Sequence, residues 1–268
     1  STSIGAFAGT FTKGPLDEVV SISSEQELVS TFGKPNNSNF EDFFSAANFL
    51  QYSNALRVVR VQNSSVSNAT ESGSAFVIKN TTDYTNNYAT GQASVGLWAA
   101  RTAGVHGNSL QISTCPSATA YEEVNKTTVA DAAMAVGDTV VTVTSSTGIS
   151  AGDIVNFGDQ FEYRVVSVAT NDLNIVRKEE PAYYGTSESS GLHEAPTNGA
   201  QVRRRWKYYD LFNKAPGTSP FAQAKSGVND ELHIAVIDED GEITGTKGDV
   251  LETFEAVSKA SDAKDAQG

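Results

Sequence analysis

The chain has 268 residues, 39% of them apolar and 19% charged, with a formal net charge of −13. This composition suits a globular protein with a core of useful size. The acid excess argues against general nucleic-acid binding and against adhesion to anionic membranes, since phosphate neutralisation needs clustered Lys and Arg. No apolar run reaches the ~18 residues of a membrane-spanning helix, and the N-terminus has neither a basic region nor an apolar signal stretch. The first residue is not Met and the last residues are polar, so both ends are read as cut. Cys115 is the only cysteine. It excludes an intrachain disulfide and a cysteine-rich zinc site, and is read as a buried, inert thiol.

Residues 4–11 read as a buried strand whose small residues allow close packing, and Lys13-Gly14-Pro15 turns the chain. Ser24 followed by Glu27 forms a capping box that starts a short helix through Leu28, Val29 and Phe32, ended by Gly33-Lys34-Pro35. A second helix is predicted over 40–52, with Phe40, Phe43, Phe44, Ala47 and Leu50 facing a core. Residues 55–62 read as a strand. The stretch 63–92 is rich in Ser, Thr and Asn and reads as a loop with one strand at 75–79. Strands follow at 94–101 and 109–114, with a turn at 104–108.

The texture then becomes all β, from about 125 to 205. Strands are expected at 139–144, 153–157, 160–168, 173–177 and 201–205, separated by turns at Thr147-Gly148 and Asn171-Asp172. Short strands at regular spacing point to a small barrel or sandwich. A strong strand at 231–238 turns at Glu239-Asp240-Gly241 and returns through 242–244. A helix is predicted over 249–258, with Val250, Leu251, Phe254 and Val257 on one face. The fold class is therefore α+β: a mixed α/β core domain formed by 1–117 plus 203–268, with an inserted antiparallel β-barrel or sandwich module at 118–202.

Each constellation that might carry chemistry lacks its context. Gly148-Ile149-Ser150-Ala151-Gly152 has the G-x-S-x-G pattern of a nucleophile elbow, but a strand follows it where that motif needs a helix. A hydrolase using Ser150 would need His193, with Asp153 or Asp159 as the acid. His106, His193 and His233 show no metal-ligand spacing. His233 lies in an alternating strand and reads as a strand residue, packed or at the surface. Asp238-Glu239-Asp240-Gly241 resembles the start of a calcium loop, but Ile243 and Asp249 stand where a Gly and a Glu are needed. Turn chemistry explains it. Arg203-Arg204-Arg205 splits between two faces of a strand and reads as salt-bridging, with acids of a neighbouring copy as natural partners. The sequons at Asn63, Asn68, Asn80 and Asn125 mark polar loops. Tyr163, Tyr183 and Tyr184 are the stacking candidates if the β module binds a glycan, although Tyr163 equally suits a packed position. No catalytic residue, metal site or cofactor is expected.

Three stretches carry a family resemblance. The first is 1–62, with Gly5-Ala6-Phe7-Ala8-Gly9, Lys13-Gly14-Pro15, Thr31-Phe32-Gly33-Lys34-Pro35 and Ala46-Ala47-Asn48-Phe49-Leu50-Gln51-Tyr52 leading into Leu56-Arg57-Val58-Val59-Arg60. The second is Val95 to Ser113. The third is Ala215-Pro216-Gly217-Thr218-Ser219 with Asp230 to Ala263. Together they resemble the contractile tail sheath proteins of T-even-type and related marine myophages. The β module does not carry the resemblance. The resemblance implies a non-enzymatic virion structural protein, assembled in the host cytoplasm. It implies stacked hexameric rings around a tail tube, contracting to drive the tube through the host envelope. The implied partners are neighbouring sheath subunits, the tail tube protein, the baseplate and the tail terminator, with no direct nucleic acid. It also implies that an N-terminal arm and a C-terminal domain lie outside this chain, which alone is expected to be monomeric. Two other classes remain open: a glycan-binding or decoration module, and a Ser150 hydrolase. A related contractile injection machine is the alternative within the first class.

Overall fold

The computed structural model describes residues 3–62, 65–92, 94–178 and 191–263. Chain packing divides it into two units. One runs through Gln111 and takes in Ile237–Val250; the other takes in Ile112–Val236 and the residues from Leu251.

The first unit begins with β1 (Gly5–Gly9) and β2 (Val19–Ile22), followed by α1 (Glu25–Phe32), α2 (Phe40–Leu50) and β3 (Leu56–Arg60). The three strands form one sheet in the order β1-β3-β2, with β1 parallel to β3 and β2 antiparallel to it. Ser24 caps α1 by accepting from the Glu27 N–H. The Glu27 carboxylate reaches back one residue further than a capping box requires, to the N–H and hydroxyl of Ser23. Phe11, Ile22, Leu28, Phe32, Phe43, Ala46, Ala47, Leu56 and Val58 form the core between helices and sheet. Small residues are needed there: a Cβ on Gly5 would lie 2.5 Å from the Phe49 ring.

Only part of the predicted α2 face is buried. Phe43, Ala46 and Ala47 point into the core, whereas Phe40 and Phe44 are each 49% exposed. The buried stripe is centred on Phe43, Ala46 and Ala47, which rotates Phe40 and Phe44 to its outer flank.

The 63–92 stretch contains a helix where a loop was expected, α3 (Thr81–Asn87), capped by the Asn80 side chain. The strands expected at 75–79 and 94–101 do not form. Asn68, a sequon residue, is buried and takes over the backbone bonding. Its Oδ1 accepts from the Ile78 N–H and its Nδ2 donates to the Ala100 carbonyl. The Glu71 carboxylate likewise accepts from the Leu97 N–H, leaving only a single bridge, Thr70 to Ala99.

The second unit carries most of β4 (Leu110–Cys115), then α4 (Ala118–Tyr121), β5 (Glu122–Thr128), β6 (Val140–Thr142), β7 (Ile154–Asn156), β8 (Tyr163–Ala169), β9 (Asp172–Arg177) and β10 (Gln201–Arg205). After them come α5 (Pro220–Ala224) and most of β11 (Glu231–Asp238) and β12 (Val250–Ser258). Six strands form one sheet, ordered β5-β10-β7-β8-β9-β6, with every pairing in it antiparallel. The last residues of its two outer strands run on into a single bridge, Val129 to Val143. It is flanked by bonds from the Ala130 N–H to the Thr142 carbonyl and from the Thr144 N–H to the Thr128 carbonyl. Its core includes Val141, Tyr163, Leu173, Ile175, Leu192 and Val202.

A second sheet has the order β12-β11-β4. Here the sequence reading fails: 249–258 is a strand, not a helix. The Val, Leu, Phe and Val spacing fits a helix, but Val250, Thr253, Phe254 and Val257 are also strand formers, and β11 offers an edge to pair with. The predicted return at 242–244 is absent because Asp238 captures that turn. Ala256 takes a left-handed φ of 55° in β12, and its N–H donates to His233 Nδ1.

Burial ranks the phenylalanines. Phe32→Ala should cost about 3–5 kcal/mol in the described fold, while Phe44→Ala, on the outer face of α2, should cost under ~1 kcal/mol. Urea unfolding of the two variants measures the difference.

Candidate functional site

The Ser150 elbow is a plain turn. Ser150 is exposed, and its N–H donates to Asp153 Oδ2 at 2.9 Å. Asp153 is 5% exposed and receives Arg204 through two bonds, Nε to Oδ2 at 3.0 Å and Nη2 to Oδ1 at 3.2 Å. Arg204 also donates to the Ala120 carbonyl. Asp153, one of the two acids a Ser150 triad could use, is thus a buried ion-pair partner. His193 stacks on Phe161 with ring centroids 4.0 Å apart, and its N–H donates to the Tyr163 hydroxyl. Asp159 accepts from that same hydroxyl. The structure joins Ser150 to Asp153, and His193 with Asp159 to Tyr163.

Tyr163 is fully buried, and that burial pushes its phenol above the usual range. It belongs to the core and has no face to offer a sugar. Tyr183 and Tyr184 lie outside the described residues.

The arginine run is consumed within the chain. Arg203 and Arg205 both reach Glu122, and Arg205 also pairs with Glu162. Glu162 accepts from the Tyr209 hydroxyl at 2.6 Å and from Lys178 at 3.0 Å. Lys178 and Arg205 both lie over the Tyr209 ring, at 4.5 and 4.8 Å. Burial alone would lower the Lys178 pKa; its bonds to Tyr209 and Glu162 raise it instead. Within this chain, Glu122, Asp153 and Glu162 meet the run.

Among the described residues no group of three His, Cys, Asp or Glu side chains could hold a metal ion. The Asp238 loop has its ligands turned inward. The Asp238 carboxylate is buried and accepts from the N–H groups of Gly241, Ile243 and Thr244 and from the Thr244 hydroxyl. Four donors on one carboxylate make a turn, leaving few lone pairs for a cation. Burial raises the Asp238 pKa, but these bonds outweigh it and hold the carboxyl below its usual range. His233 is buried as a strand residue. It stacks on Phe212 at 4.4 Å, accepts from Ala256 at Nδ1, and so donates from Nε2 to the Lys214 carbonyl at 2.7 Å. Cys115 is fully buried, which pushes its thiol up to about 11.

What remains is surface. Phe40 and Phe44 are one helical turn apart on the outer side of α2, and Tyr52 just beyond that helix is 90% exposed. Sequence periodicity missed this face by assigning Phe40 and Phe44 to the core. The acids and amide among them, Glu41, Asp42 and Asn48, were the available signal.

This face lies in the segment that known proteins share. Residues 2–61 match the family described as "Tail sheath protein Gp18 domain III N-terminal region". A tail sheath protein of Enterobacteria phage T4 is 48% identical over 60 residues, covering 22% of this chain and 9% of the relative. The chain is related to phage tail sheath proteins. The tail sheath protein of Vibrio phage KVP40 is 36% identical over 85 residues, 32% of this chain and 12% of its own length. That of Salmonella phage ViI is 28% identical over 274 aligned positions, which cover 98% of this chain and 42% of the relative. The chain thus spans less than half the length of the relatives it matches.

Two outcomes follow from these contacts. Arg204→Met should destabilise the second unit by about 3 kcal/mol, because it strands Asp153 as a buried charge. Asp238 has a depressed folded pKa, so its contribution is complete above the unfolded carboxylate pKa and is lost as pH falls through the folded value. Acid unfolding should begin at higher pH in Asp238→Asn, and circular dichroism against pH reads the shift.

Proposed function

We propose that this chain is part of a contractile phage tail sheath subunit, working by assembly and not by covalent chemistry. The observation that carries the reading is the 2–61 match. It falls on a folded layer, the β1-β3-β2 sheet with α1 and α2, and the alignment with the ViI sheath protein extends over 98% of the chain. In this reading, copies stack as hexameric rings around a tail tube. Contraction to a shorter, wider helix drives the tube through the host envelope. The tube, baseplate and tail terminator are the further partners, and the subunit is assembled in the host cytoplasm before it resides in the virion tail. The free energy comes from many small differences between two packings of the same heterologous interfaces.

The exposed α2 face of Phe40 and Phe44 is the surface offered to a neighbouring copy. A half-exposed aromatic pair on a rigid helix is the type of anchor that protein interfaces use. In this reading the core is discontinuous, formed by 1–117 and 203–268. The six-stranded sheet at 118–202 is then an inserted module, closed into a small barrel through the Val129–Val143 bridge. The pairing of Glu122 with Arg205, near the two ends of that module, supports the reading. Ser150 performs no hydrolysis in it, in keeping with Asp153 being bound to Arg204.

Electron microscopy of the full-length subunit, co-expressed with its tube protein, tests the assembly. Ordered sheaths are expected from the unaltered chain, and dispersed particles with unchanged melting from Phe40→Ser/Phe44→Ser. Ordered sheaths from that variant would remove α2 from the interface, and dispersed particles from the unaltered chain with its tube present would count against the sheath reading. An esterase assay should give the same background for the unaltered chain and Ser150→Ala.

A further inference from the structure

We infer that a groove in the first unit seats the outer face of α2 from a second copy of this chain. The inference rests on the sheath reading and deepens it by naming the surface that receives α2. The groove is a cavity of about 1000 Å³ bordered by the turn after β1, by α1 and by the 76–102 stretch. Phe76 and Tyr88 meet edge to face in its lining, with ring centroids 4.7 Å apart. Tyr84 and Leu97 in the same lining are 46% and 85% exposed, and Trp98 is half-buried. Open apolar and aromatic surface of this kind marks an interaction site.

The charges of the groove set the sign of its partner. Among the described residues, Lys13, Lys79 and Arg101 line it against one acid, Glu18. Lys79 is held by Asp17 at 2.7 Å. Lys13 Nζ and the Arg101 guanidinium make no hydrogen bond or ion pair among the described residues. Partial burial lowers the Lys13 pKa, and an incoming carboxylate would offset that cost. The groove therefore fits an occupant that is aromatic and carries a carboxylate.

The outer face of α2 has that composition. Phe40 and Phe44 are half exposed, and Glu41, three residues before Phe44, is exposed on the same side of the helix. Asp42 accepts from the Thr10 N–H and hydroxyl, whereas the Glu41 carboxylate has no partner among the described residues. Two aromatic anchors one turn apart, with an acid beside them, suit a helix laid into a groove. Phe40 and Phe44 then pack on the aromatic lining and Glu41 meets Arg101. Among the described residues none of α2 lines the groove, so one copy can donate its helix while it receives another's. Such a contact is heterologous and continues from copy to copy.

A charge swap in the full-length subunit, co-expressed with its tube protein and viewed by electron microscopy, tests the pairing. Glu41→Arg and Arg101→Glu each set like charges against one another across the contact. Both residues are exposed, so each variant should melt as the unaltered chain does and yet give dispersed particles. The double variant Glu41→Arg/Arg101→Glu should restore ordered sheaths, a rescue that residues serving only their own fold would not produce. Ordered sheaths from either single variant, or a double variant that stays dispersed, overturn the inference and leave the sheath reading standing. Dispersed particles from the unaltered chain count against the sheath reading and remove the inference with it.

Discussion

The first unit depends on one pairing, the parallel ladder of β1 with β3, in which Gly5 faces Leu56 and Gly9 faces Arg60. Parallel neighbours cannot be joined by a tight turn; the chain must cross over and return. The segment between them therefore has to cover the sheet, and α1 and α2 do so by burying Leu28, Phe32, Phe43, Ala46 and Ala47. The crossover also leads the chain through β2, which pairs with the free side of β3. The same ladder brings Arg60 to the end of β3, within reach of the carbonyls of Phe11 and Gly14.

Much of this was legible in the residues. The Ser24 cap, the stop at Gly33 and the alternation of Leu56, Val58 and Arg60 act locally, so short-range patterns report them. Five strands of the six-stranded sheet were legible for the same reason, being short, β-branched and separated by turns, while β5 was not read as a strand. The mixed α+β class follows from those two textures.

The misreadings have a common physical origin in partners remote along the chain. The 250–258 segment has apolar spacing compatible with both periods, and the edge of β11 decides for the strand. The 94–101 segment has strand composition, but the Glu71 carboxylate takes a backbone N–H that a ladder would have used. At the candidate surfaces the limit is similar. The arginine run shows charge but not that Glu122, Asp153 and Glu162 meet it, and the α2 aromatics show helical spacing but not which of them the sheet leaves outside. The enclosure of Arg60 left no local trace, because the carbonyls that receive its guanidinium belong to Phe11, Gly14 and Ala103.

The antiparallel pairing of β5 with β10 aligns Glu122 with Arg205 and Thr128 with Gln201. The polypeptide thus departs and comes back through adjacent positions, and the departing and returning strands are clasped by the Arg205–Glu122 ion pair. On its other side β10 is held by β7, from Arg203 opposite Asn156 to Arg205 opposite Ile154, so the returning strand is gripped along both edges. For an engineer, a foreign peptide therefore belongs in a turn between neighbouring strands, such as that joining β8 to β9, where no ladder has to be rebuilt.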